Sequence, residues 1–450
     1  MKRNIDLKLI RWMNNPIRLP LIVKGARQIG KTFSIKSFAK KHFKTYHYLN
    51  FEENPLISQI FDGPLTPSVL LEGLSFHLEK VINVEEDLII FDEIQACPRA
   101  LTSLKYFAER EGKALYLLVA GSLLGIHLTD LSFPVGKVEF LDMYPLNFSE
   151  FIYGIEDKKG IMALEAFTDD KAKTFIPIMH EYLFDIFKYY LLVGGLPRSV
   201  LTFKEHRDQL FHAFSEVRNI QHSLITAYLA DMAKHSGKTP AINIERVWSN
   251  VPSQLGLVVD SNTERYKFSG VIPGNSSYAK LAGPIDWLCK ARLILKIEIA
   301  NQGLLPLRGF TKDNIFKLFY FDVGMLSAVL RLDPKAVLNY NFGTYKGFLA
   351  ENFVATELLA AGEKGLISWN EGTAEMEFVL EKNGYPIPVE VKSGNVTQAK
   401  SLKVFLNKYK CEKAYILSAK LDLSNNVDKQ VQRVPIYMAE KIVMNPLTLV

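Results

Sequence analysis

Three cysteines in 450 residues, Cys97, Cys289 and Cys411, are too few, too scattered and odd in number for a disulfide framework or a zinc-ligand spacing. That usage suits a reducing compartment, and the cytoplasm is the expected location. Long apolar runs are missing as well. The longest uncharged stretch, 114–126, falls short of the roughly 18 residues that cross a bilayer and is interrupted by Gly121, Ser122 and Gly125. The opening segment, MKRNIDLKLIRWMNN, has basic residues with no following apolar run, so neither a signal peptide nor a membrane partner is expected. Charge of one sign is scarce too: 54 Lys+Arg against 48 Asp+Glu leaves +6, a mild basic bias that by itself announces no nucleic acid. Repeats and low-complexity tracts do not interrupt the chain. What is present is ordinary globular composition, 48% hydrophobic and 12% aromatic, over a length that predicts about three domains.

The first third alternates short apolar runs with helical stretches: PLIV (20–23), HYLNF (47–51), DLIIFD (87–92) and ALYLLVAGS (114–122). Such alternation predicts an α/β fold with a parallel sheet covered by helices. From about Lys171 to Ser236 the pattern is helical and aromatic-rich. Residues 241–321 read as helix, polar loop, helix and then two apolar strands, LILKIEIA and IFKLFYFD, an order that suits a winged helix-turn-helix. From Phe342 a helix, a hairpin and a Lys-rich helix follow. The expected division is an N-terminal domain over 1–155, a helical lid over 156–240, the winged helix over 241–321 and a second α/β domain over 322–450.

Residues 25–32 read GARQIGKT, a GxxxxGK[ST] loop placed directly after an apolar strand and directly before the helical stretch FSIKSFAKKHF. That context is what the motif requires of a phosphate-binding loop. Glycines at 25 and 30 let backbone amides wrap phosphates, and the dipole of the following helix adds positive potential. The expected nucleotide-binding set is Gly25, Ala26, Arg27, Gln28, Ile29, Gly30, Lys31, Thr32 and Phe33, with Lys31 reaching the β and γ phosphates of ATP and Thr32 holding Mg²⁺. The run DLIIFDE ends an apolar strand in two acids. Asp92 stands where a metal-binding carboxylate is needed, and Glu93 where a base orients the attacking water. Ser122, after the next apolar strand, is either a sensor of the γ phosphate or a turn residue.

With these motifs the chain resembles the AAA+ class of P-loop ATPases with an additional strand between the two motifs. More narrowly it resembles a bacterial and archaeal AAA+ ATPase family whose C-terminal part is a domain of unknown function. RLPLIVKGARQIGKT, IIFDEIQ, AGS, MYPLNFSEF, VGGLP, FYFDVGML, GFLAENFVATEL and VEVKSG carry that resemblance, from about Arg18 to Gly394. One departure is Gly136-Lys137, where the family often has Gly-Arg; a lysine offers charge without the planar fork of an arginine finger. Arg198, after the GGLP turn, is either similar in placement to a sensor arginine or a solvated surface residue.

The C-terminal segment AEMEFVLEKNGYPIPVEVKSG contains Asn383-Gly384, a strong two-residue hairpin signal. A turn there sets Lys382 opposite Tyr385, Glu377 opposite Glu390 and Glu375 opposite Lys392, all four of the latter on one face. Two opposed glutamates are destabilising, and a divalent cation is one remedy. Glu351, on a helix apolar nearly all round, is expected against this hairpin. Glu351, Glu377, Glu390 and Lys392 are similar to the PD-(D/E)XK motif that the family's C-terminal domain resembles. This resemblance implies a restriction-endonuclease-like α/β domain in which acids hold Mg²⁺ and the metal and lysine activate water. Here Glu377 replaces the usual aspartate. The alternative reading of these residues is a salt-bridged, solvated hairpin face.

Lys392, Lys400, Lys403, Lys408, Lys410, Lys413 and Lys420 face only Glu412 over 391–420, a local excess that either tracks double-stranded DNA or solvates a helix. Two functions stay open: an ATP- and Mg²⁺-dependent ATPase acting on DNA, and an ATP-operated switch that binds a protein partner with an inactive nuclease-like domain.

Overall fold

The computed structural model describes residues 3–110, 114–121, 135–167, 176–236, 238–257, 265–343, 345–394, 399–421 and 430–444. The chain divides into two compact units, Lys2–Tyr144 with Lys290–Arg292, and Pro145–Cys289 with Leu293–Val450.

The first unit is a five-stranded sheet. Its strands are β1 (Leu21–Lys24), β2 (Tyr46–Asn50), β3 (Leu88–Asp92), β4 (Tyr116–Ala120) and β5 (Glu139–Asp142). They lie in the order β2-β3-β4-β1-β5, and every pairing is parallel. Because β4 sits between β1 and β3, the two strands that end in the phosphate loop and in Asp92 are separated by one strand, leaving a crevice at their carboxyl ends. This is the expected α/β architecture, with the P-loop NTPase sheet in place. β3 is buried along its whole length, as a strand covered on both faces should be. Below it Phe51, Phe61, Phe91 and Phe107 pack edge to face, with centroids 5.4–6.3 Å apart.

The second unit carries a seven-stranded mixed sheet. Its strands are β6 (Ile294–Ala300), β7 (Thr311–Tyr320), β8 (Ile367–Glu371), β9 (Ala374–Lys382), β10 (Tyr385–Lys392), β11 (Ala414–Ser418) and β12 (Val431–Pro435). The order is β12-β11-β10-β9-β8-β6-β7. Helices of the expected lid, among them Ile176–Val193, Pro197–His206 and Leu210–Ser236, belong to this unit. So do the two helices read as a helix-turn-helix, Lys238–Leu257 and Tyr278–Lys290, up to Cys289. The two strands that follow them, β6 and β7, are built into the larger sheet through the parallel pairing of β6 with β8, Glu298 opposite Ile367.

The β9–β10 hairpin has the register that its turn dictates. Asn383 and Gly384 both take left-handed backbone angles, φ 52° and 79°, which a two-residue hairpin turn of this hand requires. Lys382 faces Tyr385, and the ladder runs to Phe378 opposite Val389. The next glutamate, Glu377, then accepts a hydrogen bond from the Val391 N–H through its Oε2 (3.1 Å).

Signatures distant in sequence are joined by single buried hydrogen bonds. The Leu146 N–H donates to Gly195 O (2.7 Å), and the Gly195 N–H donates to the Asp322 carboxylate (2.6 Å). The Tyr190 hydroxyl donates to Leu146 O (2.6 Å). Thus MYPLNF, VGGLP and FYFDVGML meet at one place. Asp322 is fully buried; removal from water lifts its pKa to about 6, although the N–H groups of Gly195, Met325 and Gly324 stabilise its ionised form. Asn352 hydrogen-bonds both backbone groups of Tyr320 (2.7 and 2.9 Å), and Glu357 accepts from the Phe148 N–H (2.9 Å).

Candidate functional site

The phosphate loop leaves β1 at Gly25 and enters the helix Lys31–His42, whose N-terminal amides and dipole favour an anion. Gln28 (φ 65°) and Gly30 (φ 90°) are both left-handed, the geometry that curls successive N–H groups inward. Gly25 admits no side chain: a Cβ there would lie 2.4 Å from Met143 O and from Ile29 Cδ1. The loop is held from outside by the buried Arg3, whose guanidinium donates to Ile29 O (3.3 Å) and Tyr144 O (2.8 Å). Nothing in the spacing of the motif signals that arginine.

Lys31 is buried, and its ammonium donates to Gly25 O (3.0 Å) and Ala26 O (2.7 Å). Burial pulls its pKa down to about 8, against the opposing pull of Glu93 and Asp92. Its partners are neutral carbonyls of the loop itself, so an arriving phosphate takes the ammonium without breaking an ion pair. Thr32 Oγ1 donates to Asp92 Oδ2 (2.8 Å), which brings the loop hydroxyl and the strand-end carboxylate into contact across the crevice. Asp92 is 3% exposed. Its Oδ2 also accepts from the Tyr48 hydroxyl (2.8 Å), and its Oδ1 from the Glu93 N–H (3.0 Å). Tyr48, in the middle of the neighbouring strand β2, is a member of the site that no motif reveals. A hydroxyl and a carboxylate oxygen are a hard-oxygen donor set suited to Mg²⁺. Such an ion supplies charge neutralisation for phosphate oxygens.

Glu93 stands at a left-handed turn (φ 51°), and its carboxylate accepts from the Gln95 side chain (2.6 Å). Phe33 is 64% exposed on the first turn of the helix. Ser122 lies outside the described residues. Lys137 forms an ion pair with Glu109 (3.0 Å), and Arg198 is exposed at the start of the helix Pro197–His206.

In the second unit the structure brings together the four residues expected there, together with a fifth. Glu377 is held well above the usual carboxylate range by desolvation and then by the charges of Glu390 and Glu351, with Lys392 and Lys317 pulling the other way. Lys392 pairs with Glu390. Glu375, expected opposite Lys392, is instead paired with Lys317 (2.9 Å), which also reaches Glu351 (3.3 Å). The reason is the end of the β9–β10 ladder. Past Phe378, strand β9 shifts register against β8, so that Glu375 sits opposite Asn370. Lys317 had a visible signal, a lone charge inside the apolar run IFKLFYF. The charge compensation expected from a cation is thus carried by two lysines, and among the described residues no three His, Cys, Asp or Glu side chains converge as a metal site. Glu390 is 3% exposed, and its Oε2 has no hydrogen-bond partner among the described residues.

Residues 18–152 match the AAA domain family. Residues 184–336 match a domain of unknown function, DUF8612, and residues 346–438 a second, DUF4143. No curated protein matches the chain. Among solved structures, the Aeropyrum pernix Orc1 protein in complex with DNA aligns at 11% identity and a TM-score of 0.29, over 74% of this chain and 93% of that one. Drosophila ORC bound to DNA aligns at 13% identity and the same TM-score, over 75% and 95%. Superpositions this loose carry nothing about activity. No described helix is long and apolar enough to cross a membrane.

Proposed function

We propose that this protein is a Mg²⁺-dependent ATPase. The observation that carries the proposal is the contact of Thr32 Oγ1 with Asp92 Oδ2 beside a phosphate loop whose lysine rests on loop carbonyls. In this reading Gly25 to Phe33 enclose the phosphates, Lys31 answers their charge, Thr32 and Asp92 hold Mg²⁺, and Glu93 orients the attacking water. Gln95 and the left-handed turn hold Glu93 in place. Ser122 completes the set as a γ-phosphate sensor. ATP turnover by the wild type and by Glu93→Gln is the test. The variant keeps ATP binding and loses about 10²–10⁴-fold in turnover; equal turnover by the two proteins refutes the assignment.

For the second unit we propose a nuclease-like domain directed at DNA. Support comes from the succession of the helix Tyr345–Ala361, three strands, the helix Lys400–Lys408 and β11, and from the orphaned Glu390 oxygen, which a cation would satisfy. The ion pairs of Lys317 and Lys392 favour the other reading, a nucleotide-operated switch with an inactive cluster and a protein partner. A Mg²⁺-dependent nick in plasmid DNA, lost in Lys392→Ala, decides for the first. Nucleotide-dependent association with a protein, indifferent to that substitution, decides for the second.

A further inference from the structure

A cavity of about 220 Å³ opens in the second unit beside the acid–lysine cluster, and Lys317 and Glu351 line both. Its inner wall is apolar and aromatic: Val251, Tyr266, Phe319 and Phe348 are all buried. Its mouth is basic, because Arg265 and Lys267 line it and are exposed. With Lys317, three cations among the described lining residues face the space against one carboxylate, that of Glu351.

The remaining polar lining is preset. Gln254 accepts from the Lys267 N–H (2.7 Å) and donates to Asn250 Oδ1 (2.6 Å), which also accepts from the Tyr266 hydroxyl (3.2 Å). Both hydrogen bonds to Asn250 fall on its oxygen. The amide is thereby fixed in one orientation, and its NH₂ meets no acceptor among the described residues. Tyr266 is itself held flat against Phe316, with rings 16° from parallel. An apolar slot with one oriented amide and a cationic rim fits a ligand with a flat body, hydrogen-bond acceptors on its edge and a negative charge at one end.

We propose that this cavity binds one unpaired nucleotide, its base against Tyr266, Phe348 and Val251 with its edge toward Asn250, and its phosphate at Arg265 and Lys267. A nucleobase stacked in a duplex presents neither its faces nor its pairing edge and is excluded. The same base-plus-phosphate chemistry comes from two sources, a free mononucleotide or an unpaired residue of a strand. The inference stands on the cavity and survives the absence of cleavage at the neighbouring cluster.

The test uses the full chain carrying Lys31→Ala, so that the phosphate loop contributes no binding. The probes are 2-aminopurine riboside 5′-monophosphate, a 12-nucleotide single strand with 2-aminopurine at its centre, and the same strand in a duplex. The expected result is fluorescence quenching of the first two, with the duplex at least tenfold weaker. Tighter binding of the strand identifies a strand as the source; equal affinity identifies the free nucleotide. Val251→Trp, which fills the slot, weakens binding at least tenfold. Lys267→Glu, at an exposed position that the fold tolerates, weakens it severalfold and lowers its salt dependence. The proposal is overturned by absence of quenching, by quenching that neither substitution changes, by equal binding of the duplex, or by displacement with hexyl phosphate at the concentration at which the nucleotide displaces.

Discussion

The two clusters of charge in this molecule are held in opposite ways. In the phosphate loop Lys31 rests on backbone carbonyls, and Asp92 on two hydroxyls and an N–H, all neutral. In the second unit Lys317 and Lys392 are paired with Glu351, Glu375 and Glu390. A buried charge on neutral partners is under-compensated and gains by meeting an opposite charge; one already in an ion pair must first lose its partner. The first arrangement is poised for a charged ligand that comes and goes. The second stabilises a fixed constellation, and a cation or phosphate entering it has to rearrange lysines.

The largest effect expected from breaking this contrast is on the paired side. Lys317→Met leaves Glu351 and Glu375 without their shared cation and should cost about 3–5 kcal/mol, read from urea unfolding. Restoring neutrality with Glu351→Gln and Glu375→Gln in the same chain should recover most of the loss; if it does not, the lysine acts by packing and the contrast fails. On the neutral side, Tyr48→Phe removes one hydrogen bond to a carboxylate. That should cost about 1.5–3 kcal/mol, and Mg²⁺, added with nucleotide, should offset part of it in a thermal melt.

A pH titration sharpens the comparison. In the free protein Lys31 has a pKa of about 8, and a bound phosphate raises it. Above pH 8 the complex therefore holds more protons than the free protein, and ATP affinity falls with rising pH, by up to about tenfold per pH unit. Calorimetric titrations at pH 7, 8 and 9 show this directly, and an unchanged affinity removes Lys31 from the role assigned to it. The smallest effect belongs to the surface pair of Lys137 and Glu109, where Lys137→Ala should change stability by about 0–1 kcal/mol. An unchanged ATP turnover in that variant would exclude Lys137 as a substitute for a finger arginine.

The phosphate loop was legible because its chemistry is local: eight consecutive residues running from the end of a strand into the first turn of a helix, and an acid at a strand end. The β9–β10 register was equally legible, since Asn383-Gly384 sets it from within. What escaped depends on contacts across the sheet. Lys317 reaches Glu351 and Glu375 only because β6 and β7 join the strands that follow the helix Tyr345–Ala361, and no local pattern announces that parallel β6–β8 pairing. Glu375 lost its expected partner for a related reason, the register shift of β9 against β8. Tyr48 and Arg3 are single residues on elements far in sequence from what they support, Asp92 for the tyrosine and the loop carbonyl of Ile29 for the arginine.

The hydrogen bonds around Asp322 bear on how the chain is made as well as on how it stands. The backbone N–H of Gly195 finds its acceptor 127 residues later, and that of Phe148 waits 209 residues for Glu357. The Asn147 side chain, 293 residues upstream of Glu440, waits longer still for its carboxylate (2.6 Å). During synthesis the helices after residue 145 therefore emerge with polar groups that wait for Asp322, Glu357 and Glu440, each carried by a later helical segment. The second unit should behave as one late-closing piece, and a nascent chain stalled short of Glu440 should be an open target for proteases across 145–206.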